Sequence, residues 1–392
     1  MAGIFTERTR DESDSPDYKE PHYDYLDRSA RPEAENVRRL LEDWFTRWPE
    51  ESKADLLPRL QSSDDQEFNS AFFELYLHEL LVRSDYSVRV HPELGDTKKR
   101  PDFLVESKID GHSFYLEATS ANDSDERKGA LTRLNVVLDS INGLDSPYFL
   151  LAVETSDLPA SSPPLGRIRR DLEVWLSGID VERARVRAEA SKFEDLEVLT
   201  RNYGGWEVRF QAIPRRRTAG ARGRRSIGIL STGARFLTTT ASLRSSIEKK
   251  TSRYGELSVP YIVAVNAADS NLEDLDIEDA LFGDYQTIAR LTDDGYVQSE
   301  GRDTNGVWFG PKGPKNTRVS GVLAVGGLGP WSVEQRDPVL YLNPWARIAF
   351  PAHGLPVLGK LIPSDGTLSK VEGNPTREIF GLHSGWPESQ GK

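Results

Sequence analysis

Two runs of strand-like residues, Arg100-Pro101-Asp102-Phe103-Leu104-Val105 and Phe114-Tyr115-Leu116-Glu117-Ala118-Thr119, flank Ile109-Asp110-Gly111-His112. Asp-Gly between alternating runs is the strongest short-range signal of a β-hairpin, because a type I′ turn needs positive φ at both central residues. With Asp110 and Gly111 as the loop, Ile109 pairs with His112, and counting outward sets Asp102 opposite Thr119. Side chains alternate along a strand, so Asp102, Glu117 and Thr119 share one face while Phe103, Val105, Leu116 and Ala118 share the other. Asp102 and Glu117 are then diagonal neighbours, roughly 7–8 Å apart at the backbone. Two anions whose side chains converge from there repel by about 4 kcal/mol at a typical effective dielectric. A divalent cation removes that cost, and hard oxygen ligands suit Mg²⁺.

Upstream, residues 65–83 carry Phe68, Phe72, Leu75, Leu80 and Leu81 at helical spacing, with Asp64 or Asp65 as the cap. Glu74 shares a face with Ser70, Leu77, His78 and Leu81, at the edge of the apolar stripe, where it can look toward Asp102. A second helix is expected from Glu33 to Trp48, ended by Pro49, and a short strand from Tyr86 to Val90. Downstream come a helix from Asp125 to Ile141 and the apolar run Pro147 to Val153, which reads as a buried strand. The run Pro260 to Val265 echoes it, again after a helix, and is expected to join the same sheet.

The hairpin resembles the core motif of the PD-(D/E)XK nuclease superfamily, the restriction-endonuclease-like fold. Pro101-Asp102 matches the opening of one strand, Glu117 the acidic position on the next, and Glu74 the glutamate on a preceding helix that often completes the metal site. Thr119 stands where the family has lysine. The resemblance covers roughly residues 65–155. It implies an α/β fold with a mixed central β-sheet flanked by helices, Mg²⁺ or Mn²⁺ held by Asp102, Glu117 and Glu74, and hydrolysis of phosphodiester bonds. Threonine hydrogen-bonds a water but brings no charge, so another cation must substitute or the site is inactive. Lys128, Lys249 and Lys250 are candidates, as are Lys98, Lys99 and Arg100 just ahead of the motif.

The net charge of −12 argues against indiscriminate binding to nucleic acid, but the charge is uneven. Arg215, Arg216, Arg217, Arg222, Arg224 and Arg225 form a basic segment suited to phosphate contact, with a solvated loop as the bland alternative. No cysteine occurs, which removes disulfides, cysteine-based zinc sites and thiol nucleophiles. Met1 to Arg31 lacks the apolar segment of a signal peptide, no apolar run approaches the ~20 residues that span a bilayer, and a cytoplasmic location is expected.

Other motifs carry less. Glu74 and His78 stand four apart without a His-Glu-x-x-His pattern; Gly326-Gly327-Leu328-Gly329 lacks the lysine of a phosphate loop. Ser231-Thr232-Gly233 has no histidine partner, and Trp308, Trp331 and Trp345 suit either base stacking or a core. The expected organisation is a disordered tail over 1–33, a nuclease-like core over 34–270 with a helical insertion at 165–200, and a loop-rich region over 271–392. The leading function is a metal-dependent nuclease acting on DNA. The alternative is an inactive relative that binds nucleic acid or a protein partner, or a second copy of itself, through the C-terminal region.

Overall fold

The computed structural model describes residues 3–95, 99–121, 125–155, 157–190, 196–215, 226–232, 239–267, 272–292, 295–351, 354–355, 357, 360–364, 367–371 and 373–388. The chain forms two units: 1–13, 21–122 and 237–392 make the first; 14–20 and 123–236 make the second.

The first unit begins with helices α1 (His22–Arg28), α2 (Pro32–Arg47), α3 (Lys53–Leu60) and α4 (Asp65–Arg83). Asp64 caps α4, its carboxylate accepting from the amides of Gln66 and Glu67. Strands β1 (Tyr86–Val90), β2 (Phe103–Ser107) and β3 (Ser113–Ala121) follow as an antiparallel meander. The chain then leaves for the second unit: α5 (Asp125–Asn142), β4 (Phe149–Thr155), α6 (Leu165–Ser177), α7 (Val181–Ala190), β5 (Val198–Tyr203), β6 (Trp206–Pro214) and β7 (Ile227–Thr232). These strands form their own sheet in the order β5-β6-β4-β7.

On its return the chain forms α8 (Thr239–Thr251) and β8 (Tyr261–Ala267), and β8 pairs parallel to β3. Beyond them lie α9 (Asp274–Phe282), β9 (Tyr285–Thr292), β10 (Gly295–Arg302), β11 (Phe309–Gly310), β12 (Gly313–Pro314), β13 (Gly321–Gly326), β14 (Val339–Leu342), β15 (Lys360–Ser364), β16 (Thr367–Val371) and α10 (Thr376–Phe380). The main sheet has the order β1-β2-β3-β8-β13-β14-β15-β16, with parallel pairs at β3/β8, β8/β13 and β14/β15 and antiparallel pairs elsewhere. It is the expected mixed α/β sheet flanked by helices.

Alternation divides the sheet's buried residues between two cores. Phe103, Val105, Phe114, Leu116, Ile262, Ala264 and Leu323 pack with Trp44, Phe72, Leu75 and Tyr76 from α2 and α4. Val263, Val265, Val322 and Ala324 pack with Leu243 and Ile247 of α8 and with Ile277 and Leu281 of α9. Every residue of β8 is buried, as a parallel strand covered on both faces requires. Among the described residues no helix is long and apolar enough to cross a membrane.

Three expectations change. Residues 3–33 are ordered, because Ile4 and Leu26 are fully buried and Asp27 gathers Thr6 and Arg10. A mostly polar stretch is anchored by a few apolar side chains. Second, the inserted segment is 123–236 rather than 165–200. The run around Pro147 enters the insertion's own sheet, whereas the run after Pro260 joins the hairpin. Both are continuous apolar strands, and periodicity carries no information about which partner a strand finds. Third, 271–392 is short-stranded as expected, yet β13 to β16 extend the main sheet instead of forming a separate region.

Ile247 and Leu243 seat α8 on β3 and β8. Ile247→Ala should destabilise the protein by about 2–5 kcal/mol, read as a lower denaturation midpoint in urea with an unchanged slope.

Candidate active site

The hairpin closes differently from the two-residue turn that Asp-Gly suggests. Phe103 pairs with Leu116, Leu104 with Tyr115, Val105 with Phe114 and Glu106 with Ser113. Ser107 donates its amide to the His112 carbonyl at 2.9 Å, leaving Lys108, Ile109, Asp110 and Gly111 as a four-residue turn. Ser107 is the cause. Its hydroxyl oxygen accepts from the amides of Ile109 and Asp110 at 3.2 and 3.3 Å, and Asp110 in turn pairs with His112 Nδ1 at 2.6 Å. Gly111 takes the left-handed conformation at φ +73° that closes the wider loop.

The register therefore moves by two residues. Extended past the last pair, it sets Asp102 level with Glu117 instead of Thr119. A shift of two preserves the face of every side chain, so the grouping of Asp102, Glu117 and Thr119 survives while Asp102 and Glu117 become level instead of diagonal. Asp102 lies one residue before β2, and its Oδ2 accepts the Ala118 amide at 2.7 Å. The carboxylate thus occupies the place of a strand acceptor where β3 outruns its partner.

Glu117 is fully buried. Its Oε1 accepts from Lys250 Nζ at 2.7 Å and from Arg253 Nη1 at 2.6 Å. The Tyr254 hydroxyl lies 2.6 Å from Oε2 and 2.7 Å from the Arg100 carbonyl, with one proton to give. All three donors come from the last turn of α8 and the residues after it. Burial, then the negative charge of Glu117, raises the Tyr254 hydroxyl well above its ordinary range, so it stays a donor. The Tyr261 hydroxyl holds the Lys250 carbonyl at 3.2 Å and fixes the end of the helix.

Asp102 is pushed up to about 8, first by burial and then by Glu117 and Glu74, against the opposing pull of the Ala118 amide and Lys250. Glu74 does not turn to Asp102 as a third ligand. Arg59 of α3 takes both its oxygens, Nη1 to Oε1 at 2.7 Å and Nη2 to Oε2 at 2.8 Å, a bidentate pair. Among the described residues, no group of three or more His, Asp or Glu side chains is arranged to hold a metal ion. Asp102 keeps lone pairs beyond the one that accepts from the Ala118 amide, whereas Glu117 has two donors on Oε1 and one on Oε2. Mg²⁺ is commonly held by one or two carboxylates with water completing its shell, and the unfavourable charging of Asp102 is what a cation would offset. The three-carboxylate site is not formed, because Arg59 takes both oxygens of Glu74, and the two carboxylates that remain are the residues that would hold a cation.

Of the substitute cations, Lys250 reaches the site. Lys249 is exposed, Arg100 pairs with Glu93 at 2.6 Å, and Lys98 and the Lys128 side chain lie outside the described residues. Thr119 is half-buried on β3, level with Val265. Arg215 is turned to its own unit, with Nε 3.3 Å from the Ser146 carbonyl and 3.2 Å from that of Phe149. Arg216, Arg217, Arg222, Arg224 and Arg225 lie outside the described residues. His78 is a core histidine, beside Trp48 and Phe103, and burial pushes it down to about 4. Gly327 and Leu328 form a turn fastened to Ala267 and Asn266, and Trp308 is core. Sequence reasoning missed Arg59, Arg253 and Tyr254. Arg253-Tyr254 stands just before the second apolar strand, but only the knowledge that this strand adjoins β3 gives the pair a meaning.

Compared with known proteins, the chain matches no family model, no curated protein and no solved structure.

In the unfolded chain Asp102 ionises near pH 4, whereas in the fold it holds its proton up to about pH 8. The folded state binds more protons between those values, so this group's contribution to stability is complete below pH 4 and is lost as pH rises toward 8. Asp102→Asn keeps an oxygen for the Ala118 amide and removes the titration. In metal-free buffer it should melt above the parent protein, with the gap opening between pH 4 and 8 to on the order of a few kcal/mol. Parallel melting curves across that range would refute the assignment.

Proposed function

We propose that this protein is a metal-dependent nuclease of the PD-(D/E)XK kind, cytoplasmic and acting on DNA, in which Lys250 takes the part of the missing strand lysine. The observation that carries the reading is the Lys250 ammonium 2.7 Å from Glu117, delivered by a helix to the face where Thr119 stands. Asp102 and Glu117 hold Mg²⁺ or Mn²⁺. The bound cation would acidify a coordinated water and offset phosphate charge. Lys250 balances the negative charge that develops on the phosphate and orients the attacking water, with the Thr119 hydroxyl as a second partner for that water. Tyr254 holds Glu117 in place through Oε2. Glu74, paired with Arg59, acts on the site only through its charge near Asp102.

A second reading is favoured by one observation. Glu117 is buried with two cations and a hydroxyl already on it, which is also how a purely structural buried ion pair is satisfied. In that case the protein is an inactive relative that binds nucleic acid or a protein partner.

Plasmid DNA and single-stranded substrates incubated with Mg²⁺ or Mn²⁺ separate the two. Asp102→Asn, Glu117→Gln and Lys250→Met should each lower cleavage by about 10²-fold or more, and Thr119→Ala by less. Cleavage that persists in all three variants removes the site assignment. Intact DNA binding with no cleavage by the parent protein supports the inactive reading.

A further inference from the structure

Lys250 and Arg253 do the same thing to the same atom. Both donate to Glu117 Oε1, at 2.7 and 2.6 Å, although one carboxylate needs one cation. The two differ in what surrounds them. The Lys250 side chain is 19% exposed and the Arg253 side chain 41%, while the carboxylate they share is 0% exposed. Arg253 therefore gives one of its five N–H groups to the buried oxygen while its side chain stays partly exposed. Its guanidinium lies 5.8 Å from the centre of the Tyr254 ring, which supports the stem and limits its swing. If Arg253 turned outward, Glu117 would still have Lys250 and Tyr254. The converse does not hold for Tyr254, the one side chain that reaches Oε2 among the described residues.

From this we infer that Arg253 is a phosphate-contact residue: its guanidinium exchanges Glu117 for a phosphodiester oxyanion of a nucleic-acid backbone. The inference rests on the nuclease-fold reading for its ligand class, but needs neither a bound metal nor hydrolysis. The guanidinium shares the Glu117 oxygen with Lys250, and the charges of Glu117, Tyr254, Asp102 and Tyr261 act on it. A planar fork takes two phosphate oxygens at once, which the ammonium of Lys250 does not, so the two cations divide the work. Lys250 stays between the buried carboxylate and the reacting phosphate, and Arg253, the more exposed of the two, takes the flanking backbone phosphate.

The test is binding in EDTA, where cleavage does not occur. A fluorescein-labelled DNA duplex and the same sequence as RNA are titrated with the parent protein, Arg253→Gln and Arg253→Lys, and anisotropy is followed over a series of salt concentrations. Arg253→Gln should weaken binding about tenfold and reduce the salt slope by about one. Arg253→Lys should keep the slope and recover part of the affinity. Thermal melting identifies any variant that misfolds, and the lysine variant retains a cation for Glu117. Equal affinity and slope in parent and Arg253→Gln overturn the proposal, as does a parent protein that binds neither probe. Inorganic phosphate that displaces the probe as well as unlabelled duplex does, at equal phosphate concentration, overturns the assignment to a polymer backbone. Binding in EDTA without cleavage in Mg²⁺ removes the nuclease reading and leaves this one. Cleavage in Mg²⁺ with Arg253→Gln binding like the parent removes this one and leaves the nuclease.

Discussion

A carboxylate without solvent in the middle of a β-strand costs several kcal/mol unless its partners are close and well placed. Glu117 is such a group, and much of the surrounding architecture follows from satisfying it. Its strand is covered by α8, whose final turn and following residues supply Lys250, Arg253 and Tyr254 in a stretch of five positions. That stretch lies over β3 because Leu243 and Ile247 bury one face of α8 against Val263 and Val265, and because β8 returns parallel to β3. Remove the crossover and the acid has no counter-charge. The same constraint explains Asp102. Burial first, and then the charges of Glu117 and Glu74, disfavour the carboxylate form of Asp102 and raise its pKa.

How far this was legible in the sequence depends on the range over which each feature is determined. The helix of residues 65–83 and its Asp64 cap are set within a few turns, and both are as read. The hairpin is local too, yet its register was off by two because the Ser107 hydroxyl competes for the turn amides, a bond that the Asp-Gly signal does not include. The facial grouping survived because strand side chains repeat every two residues. Long-range pairing was the blind spot. Phe149–Thr155 and Tyr261–Ala267 are equally apolar, and nothing in either says that the second is the neighbour of β3. Arg59 and Arg253 were invisible for the same reason, since an arginine's value lies in an acid that only the tertiary fold brings to it.

The insertion at 123–236 falls between β3 and α8, the first connection of a strand–helix–strand crossover. A loop there can lengthen at slowly rising entropic cost, because the pairing of β8 with β3 and the seat of α8 are fixed by burial and not by loop length. The two units differ in charge. The insertion and residues 14–20 carry nearly equal numbers of basic and acidic side chains, so the net charge of −12 resides in the first unit. An acidic body repels a polyanion at distances within a Debye length, about 8 Å in physiological salt. On the proposed reading, attraction to a polyanion would then be local, and Lys250 with Arg253 beside one buried anion is where it would act.

A lysine two residues along the strand from the glutamate is positioned by the pleat, and its geometry survives any change that leaves the strand intact. Lys250 is positioned by packing instead. Its ammonium reaches Glu117 only while α8 lies at its present height on the sheet, held by Ile247 one turn back and by the Tyr261 hydroxyl on its own carbonyl. A cation supplied by a helix instead of the strand thus has a tertiary determinant where a strand lysine would have a local one. It also gives Glu117 room for two cations, because the turn after a helix can present Lys250 and Arg253 to one oxygen where adjacent positions on a strand would point to opposite faces. Threonine at position 119 is compatible with that arrangement, since a third long cationic side chain on the same face would meet the two already there.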